Sequence, residues 1–424
     1  MRRLCNIAAL LCLLITPIAA QALTFEPFAH SEWRAEPWQF SRNPSDAMAI
    51  DRSGTVHLTG FIDNGNASRV EYLRMTKGQT PVRQPLLGEM EVHTRQPAIE
   101  IDANGGLHFA WQDYRHATAA ANFIDNIEIY YGYLPPGDEL PLQVSRVSHT
   151  EAAHQGDNGY MPQLAVAESG QVYLAWYDFT RDGNHADVFM RTTAAGEPFD
   201  DVVGIEPFRI ARVESSNENA SLWLPDVVHA GGDAFAVWGL REGFSGTFTL
   251  LGGYAGSLQA GTEPIVIAEQ GAGFLDPPRV AANAAGEIAV AYSRFADGAA
   301  RIFVQRLADA DMRGGAMAAS DGSLNASQPS VLYASNGRLW LAWQEDLGGF
   351  CQIVAAVMAP ETGAVIDTQI VSDLDVDSRF PVLAASPAGR IYLAWIETGE
   401  NEEKRVQVVR TPGTRVSDFG LHTQ

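Results

Sequence analysis

Histidine, tyrosine and arginine side chains are concentrated in one part of the chain. Six of the ten histidines lie between His93 and His185. An arginine that neutralises a carboxylate acidifies the neighbouring C–H bond, and a tyrosine or histidine can then move the proton. We therefore predict proton abstraction next to a carboxylate, with catalytic roles for His93, His116, Tyr160 and Arg181. Substrate-binding roles are predicted for further residues nearby and later in the chain: Arg95, Arg115, His154, His185, Trp223 and Arg241.

An architectural interpretation of some of these residues stays open. In the segment Trp111-Gln-Asp113-Tyr-Arg115, the Asp and the Arg can tie a loop together by a hydrogen-bonded ion pair. A similar segment contains Asp178. His108 is interpreted as a packing residue, because equivalent positions elsewhere hold aromatic residues or a second histidine.

A metal site is the other alternative for the histidines. His93, His116, His185 and Asp157 have the side chains that zinc or calcium ions bind, so a structural calcium or zinc ion is conceivable. No fixed ligand spacing supports it. We therefore assign no definite cofactor, and the identity of a bound metal stays open.

A repeated phrase indicates the elements that must position these side chains. It consists of an apolar strand, a turn glycine, a second apolar strand and an aromatic position six residues after the glycine. It occurs seven times, at Gly54 to Gly60, Gly105 to Trp111, Gly170 to Trp176, Gly232 to Trp238, Gly286 to Tyr292, Gly337 to Trp343 and Gly389 to Trp395. Repetition of this kind is typical of propellers and solenoids.

The repeat predicts an all-β, seven-bladed β-propeller of four-stranded antiparallel blades. Four strands with two apolar faces cannot bury both faces alone, so the blades must stack radially. The last repeat has a third strand at residues 406–410 but no convincing fourth strand. Residues 36–42 resemble the fourth strand at residues 206–212, and we predict that residues 38–42 complete the seventh blade and close the ring.

Propeller geometry also predicts where the candidate residues meet. The loop that enters the first strand of a blade and the loop that joins its second and third strands open on the same rim. The predicted site residues fall in these loops, so we expect His93, His116, Tyr160, Arg115 and Arg181 to converge between the second and third blades.

The N-terminus indicates export. Arg2 and Arg3 precede an apolar run over residues 7–20, and Ala20-Gln21-Ala22 has the small-x-small pattern of a signal-peptidase site. We predict a signal peptide over residues 1–22, a propeller over residues 23–424, and a periplasmic or secreted protein. No later segment is long enough for a membrane span, so no membrane insertion is expected.

Charge and cysteine content narrow the partners. The formal net charge is −22, which argues against nucleic acid as a partner. A local arginine cluster can still hold an anionic ligand at contact range. After signal cleavage Cys351 has no internal partner, and its alternating segment favours a buried structural cysteine. We expect a monomer whose partner is a polysaccharide or another glycan.

The repeats resemble those of the sialidase-type propeller superfamily over most of the mature chain, although the Ser-x-Asp-x-Gly-x-Thr-Trp boxes of true sialidases are missing. The order of residue types is also similar to secreted ulvan lyases, in which histidines, a tyrosine and an arginine on early blades act on a uronate-containing polymer. This resemblance implies such roles for His93, His116, Tyr160 and Arg181.

Three functions therefore compete. A polysaccharide lyase that cleaves a uronate-containing polysaccharide by β-elimination explains the repeats, the export signal and the clustered side chains. A non-catalytic propeller that binds a glycan or a protein explains everything except the cluster. A divergent glycoside hydrolase or sialidase is the third.

Overall fold

A computed structural model describes most of the chain. The described residues are 23–34, 38–41, 46–63, 67–88, 93–120, 123–140, 142–148, 158–179, 185–199, 208–212, 220–242, 248–270, 276–308, 311–360 and 362–412. The predicted signal peptide, residues 1–22, lies outside them. Over the described ranges, no helix is long and apolar enough to cross a membrane.

The strands form seven antiparallel blades of four strands each, which confirms the predicted fold class. From the innermost strand outwards, the first blade contains Met48–Ile50, Val56–Asp63, Ser68–Met75 and Val82–Pro85. The second contains Thr94–Ile101, Leu107–Asp113, Glu128–Leu134 and Gln143–Arg146. The third contains Gly159–Val166, Gln171–Asp178, Asp187–Ala194 and Phe208–Ala211. The fourth contains Ala220–Ala230, Asp233–Glu242, Phe248–Tyr254 and Ile265–Gln270.

The remaining blades have the same plan. The fifth contains Arg279–Ala282, Ile288–Ala296, Ala299–Ala308 and Asp311–Ala318. The sixth contains Asn325–Tyr333, Leu339–Asp346, Cys351–Met358 and Val365–Ile370. The seventh contains Asp377–Ala385, Ile391–Thr398, Lys404–Arg410 and, from the N-terminus, Glu26–His30. Further elements are a strand at Trp38–Gln39, a hairpin of Thr118–Ala120 with Phe123–Asp125, and a short helix at Ala255–Gln259.

The hydrophobic core lies between the blades. The described residues form seven apolar clusters, and each cluster joins the facing sides of two neighbouring blades. The aromatic residues at the end of the second strands are almost completely buried, as in Trp111, Trp176 and Trp395. Cys351 is also buried, which agrees with a structural role. Radial stacking therefore supplies the burial that no single blade can provide.

The ring is closed by an N-terminal strand, but not by the predicted one. Glu26–His30 pairs with Lys404–Arg410 of the seventh blade. The carboxylate of Glu26 accepts a hydrogen bond from Arg410 Nε at 3.0 Å, and the ring of Phe28 lies edge-on to that of Tyr392 at 5.2 Å. The prediction that residues 38–42 form this strand was wrong.

The segment at Trp38 has a different task in the first blade. Trp38–Gln39 pairs with Phe61 and Ile62 of the second strand. Gly60 occupies the aromatic position of this repeat, and a Cβ atom there would lie 2.6 Å from the Trp38 ring. Trp38 itself is 3% exposed. The first blade therefore takes its missing buried tryptophan from the chain that precedes its innermost strand, which is the physical reason for the correction.

Acidic side chains in or just before the innermost strands repel one another near the axis. Asp46 Oδ2 accepts a hydrogen bond from Leu164 N at 2.8 Å, and Asp226 Oδ2 accepts one from Val280 N at 2.9 Å. Burial and repulsion from Asp226 raise the pKa of Asp46. Burial also raises the pKa of Glu100 to about 7. A hydrogen bond from the Ile101 N–H opposes this rise, whereas repulsion from Asp226 adds to it.

The raised pKa of Glu100 predicts a pH-dependent stability. The folded state disfavours its charged form, so its contribution to the free energy of unfolding is intact below about pH 4.5 and is lost as the pH rises through about 7. Glu100→Gln should therefore raise the thermal midpoint by roughly 1–3 °C at about pH 8 and leave it unchanged at about pH 4. The same shift at both pH values, or an equal shift from the exposed Glu269→Gln, would contradict this assignment.

Candidate functional site

The rim on which the innermost strands begin and the second strands end carries those predicted site residues that the structure describes. We call it the upper rim. Arg95, Tyr160 and Trp223 occupy one repeat position on three consecutive blades. Each pairs across the sheet with the residue that directly follows the buried tryptophan of its blade. The partners, in the same order, are Gln112, Tyr177 and Gly239. These three side chains therefore start from equivalent places around the axis.

A bulge follows each of these three positions. The next residues are Gln96, Met161 and Leu224, with φ values of 51°, 50° and 52°. A residue other than glycine is strained in this left-handed region, and the following proline fixes the exit of the chain. Because the same bulge recurs in several blades, it belongs to the architecture, and it sets the direction in which the preceding side chain leaves the strand.

Tyr160 lies in a group of stacked rings that we call the aromatic patch: Tyr160, Tyr177, Phe179 and Trp223. The ring of Tyr160 is stacked on Tyr177 at 5.4 Å and meets Phe179 edge-on at 5.9 Å. Trp223 lies 5.8 Å from Tyr177, and the guanidinium of Arg241 is 6.0 Å from the Trp223 ring. Tyr160 and Trp223 are half-buried. The patch therefore joins the third and fourth blades and presents aromatic surface at the upper rim.

His93 is exposed and its ring is oriented by a backbone donor. The Nδ1 atom accepts a hydrogen bond from Ser68 N at 3.2 Å, and the ring meets Tyr114 edge-on at 6.5 Å. A backbone N–H can only donate, so Nδ1 must keep its lone pair, and the proton of the neutral imidazole sits on Nε2. Neutral His93, an exposed residue, therefore keeps a hydrogen-bond donor at Nε2.

Arg95 is held by the first blade. Its guanidinium lies 2.9 Å from Asp63 Oδ2, its Nε donates to Ser68 Oγ at 3.0 Å, and it stands 5.8 Å from the ring of Tyr114. The Asp63 carboxylate neutralises this arginine in the described structure. Arg95 thus ties the upper ends of the first two blades together.

The loop after Trp111 is tied as the architectural interpretation predicted. Asp113 accepts hydrogen bonds from Arg115 Nε at 2.9 Å and Arg115 Nη2 at 2.7 Å, and also from Trp111 Nε1 at 3.0 Å. The same device recurs where Trp343 Nε1 donates to Glu345 and Trp395 Nε1 to Glu397. Acidic residues after these tryptophans therefore serve the core.

His116 forms a pair with Tyr130 that the sequence did not reveal. His116 Nε2 and Tyr130 Oη are 2.9 Å apart, and the Arg115 guanidinium lies 4.2 Å from the Tyr130 ring. Burial raises the pKa of Tyr130, so its hydroxyl keeps its proton and can donate it. His116 is exposed, and the pair therefore links a buried proton donor to the surface. Tyr130 belongs to a strand with apolar alternation, and no local motif distinguishes it.

The remaining predicted residues are placed only in part. His154, Arg181 and Asp157 lie outside the described residues. His185 is half-buried and precedes the third strand of the third blade. No described contact joins the aromatic patch, the His93 group and the His116–Tyr130 pair directly, although all three lie on the upper rim. Within the described ranges, no three metal-binding side chains come together.

His108 lies on the other rim and is a core residue, as predicted. It is completely buried, with Nδ1 2.7 Å from Tyr131 Oη and Nε2 3.3 Å from Asp102 Oδ2. Burial lowers the pKa of His108 to about 4, against the attraction of Asp102. His57 repeats the arrangement in the first blade with Tyr72.

Comparison with known proteins supports the fold. No protein family model matches the chain, and no curated protein sequence does. An ulvan lyase solved with bound GlcA(1-4)Rha3S matches with a TM-score of 0.58 and 12% identity, over 93% of this chain and 98% of the lyase. A second polysaccharide lyase matches with a TM-score of 0.52 and 10% identity, over 86% of this chain and 89% of its own. A Trypanosoma rangeli sialidase mutant gives a TM-score of 0.46 and 12% identity, over 79% of this chain and 56% of the sialidase.

The shared feature is the fold. For the fold, the two lyase matches confirm the resemblance predicted from the sequence.

The contact between Ser68 and His93 predicts a definite tautomer. In ¹⁵N spectra of histidine-labelled protein, the neutral form of His93 should be protonated on Nε2, because Nδ1 accepts from a backbone N–H. The signal is assigned by its loss in His93→Gln. Protonation on Nδ1 would contradict the described orientation of the ring.

Proposed function

We propose that this protein is an exported, carbohydrate-active propeller that cleaves a uronate-containing polysaccharide by β-elimination. The observation that supports it most directly is the position of Tyr160. Its phenol belongs to the aromatic patch. Tyr160 lies near the start of the innermost strand of the third blade, on the upper rim. The fold shared with two polysaccharide lyases adds to this support without assigning the activity.

The proposed reaction needs three functions from the site. A base removes the proton from C5 of the uronate, the electron pair forms the C4–C5 double bond, and the C4–O bond breaks while the leaving oxygen takes up a proton. The negative charge that develops on the carboxylate must be stabilised. No water is consumed, so the cleavage products contain no oxygen from solvent.

The described side chains suggest how these functions are divided. The Nε2–H of His93 suits a hydrogen bond to the uronate carboxylate. Arg181, which lies outside the described residues, stays the cation predicted from the sequence. Tyr160 and a histidine move the proton, and the His116–Tyr130 pair connects a buried hydroxyl with the surface. Arg95 and Arg115 were predicted to bind substrate, but each already holds a carboxylate. We therefore assign them to positioning the loops.

The aromatic patch supplies a surface for the sugar chain. Aromatic rings offer a flat apolar face to a pyranose, and Arg241 beside Trp223 adds positive charge next to it. A polysaccharide that crosses from the second blade to the fourth would therefore touch His93, Tyr160 and Trp223 in turn.

A non-catalytic glycan-binding propeller is the second candidate. The neutralised charges of Arg95 and Arg115 favour it. A hydrolase has less support, because glycosidases generally use a pair of carboxyl groups. On the upper rim, Asp113, Glu345 and Glu397 are engaged with buried tryptophans.

The proposal also covers the setting of the reaction. We propose a monomer that acts in the periplasm or outside the cell, with a signal peptide over residues 1–22 and the propeller over residues 23–424. A structural calcium or zinc ion stays an untested alternative.

Tyr160→Phe should reduce lyase turnover by about 10²–10⁴-fold, which is the usual effect of losing an acid–base group. Activity is measured as the ultraviolet absorbance of unsaturated uronate over a panel of acidic polysaccharides. The thermal midpoint should change little, because the ring stays in the patch.

Tyr133→Phe is the matched control, since Tyr133 is a half-buried tyrosine on the other rim and donates to Asp102. It should keep wild-type activity. Full activity of Tyr160→Phe on a confirmed substrate would show that the patch binds and does not catalyse. Absence of absorbance on every polysaccharide, with binding retained, would favour the second candidate.

A further inference from the structure

A cavity lies on the rim opposite the candidate site, which we call the lower rim. It has a volume of about 440 Å³ and lies where the sixth, seventh and first blades meet. Its walls include Arg52, Arg338, Arg390 and Arg410, together with Trp340 and Tyr392. This volume is within the usual range of small-molecule sites.

The charge of this cavity is opposite to that of the protein. Among its described lining residues there are four arginines and no aspartate or glutamate, in a chain with a net charge of −22. Arg410 is paired with Glu26. Within the described residues, Arg338 and Arg390 form no ion pair with a carboxylate. Two half-buried guanidinium groups therefore face the same concave space without a counter-charge.

Three acidic groups next to the walls of this cavity already have partners. Asp367 lies opposite the wall residue Val357 and accepts a hydrogen bond from Leu23 N at 2.6 Å. Asp51, in the turn of the first blade, accepts hydrogen bonds from Ser53 N and Thr55 N at 2.8 Å each. Glu26 interacts with Arg410 and with Lys77. None of these three carboxylates is among the residues that line the cavity.

The two unpaired arginines come from one repeat position. Each follows the turn glycine of its blade, Gly337 or Gly389, and both glycines have a φ of 78°. In the other five blades the residue after this glycine is Thr55, Gly106, Gln171, Asp233 or Glu287. The turn itself therefore does not require an arginine. Its presence in two neighbouring blades is a local feature with no architectural explanation.

The chemistry of the walls points to an anionic sugar. A guanidinium group matches a carboxylate or sulfate with two parallel hydrogen bonds. Trp340, half-buried and packed edge-on against Phe25 at 5.9 Å, provides an aromatic wall beside these charges. Oxyanion recognition next to an aromatic face suits a uronate or a sulfated sugar residue better than a neutral one.

We propose that the lower-rim cavity binds an anionic sugar residue, with Arg338 and Arg390 on its carboxylate or sulfate group and Trp340 beside its ring. The site is separate from the upper rim, so a polysaccharide could be held at two places on the propeller. The choice of a sugar as ligand rests on the proposed function, whereas the anion site itself does not.

The test measures binding by calorimetry in the Tyr160→Phe background, so that cleavage does not consume the ligand. The probes are sodium sulfate, glucuronate, a disaccharide of glucuronate and sulfated rhamnose, and a neutral disaccharide. The anionic probes should bind, and the Arg338→Gln/Arg390→Gln double variant should weaken one component of this binding by about 10- to 100-fold. Glucuronate bound without sulfate, or the reverse, identifies which anion the site prefers.

Two control variants locate the binding. Arg74→Gln removes a charge from a separate lower-rim cavity that also contains Asp51 and Glu139, and it should have no effect. Trp223→Ala, on the upper rim, should keep the component that the double variant loses. No binding of any anionic probe, or equal binding by the double variant, would overturn the proposal. Anion binding without cleavage of any polysaccharide would instead refute only the proposed lyase activity.

Discussion

Each blade carries apolar side chains on both faces, and this constraint governs the rest of the structure. A sheet with two apolar faces must be covered on both sides, and in a ring every blade covers its two neighbours. The first and last blades can satisfy the rule only if the ring closes. The N-terminal strand around Phe28 therefore has to reach the seventh blade, where its contact with Tyr392 and the Glu26–Arg410 pair holds it.

The same constraint explains why so many polar residues near the site are structural. A buried tryptophan Nε1 is stabilised by a hydrogen-bond acceptor, and Asp113, Glu345 and Glu397 provide one in three blades. The Nε1 atoms of Trp38, Trp176 and Trp238 have no such partner among the described residues. Arg115 then neutralises Asp113. These hydrogen bonds and ion pairs fix the loops that face the upper rim. Side chains outside them, such as His93 with its Nε2 atom, remain available for a ligand.

Much of the fold could be predicted from the sequence, because the spacing from turn glycine to aromatic residue is local and recurs. The closing strand could not, since two N-terminal segments begin with Glu-Pro and an aromatic residue. The packing of Trp38 over Gly60 and the pairing of Glu26–His30 with the seventh blade distinguish them. For the site, the repeat register predicted the shared rim. The His116–Tyr130 pair and the arginine cavity were missed, because they depend on residues that meet only in the folded ring.

The central claim, elimination without water, is tested most directly by the products. The protein is incubated with the acidic polysaccharide that it binds, in water enriched in heavy oxygen, and the oligosaccharides are examined by mass spectrometry. The account predicts unsaturated uronate ends that carry no solvent oxygen. Saturated uronate ends, with the mass of one water gained per cleavage, would demonstrate hydrolysis and would contradict it.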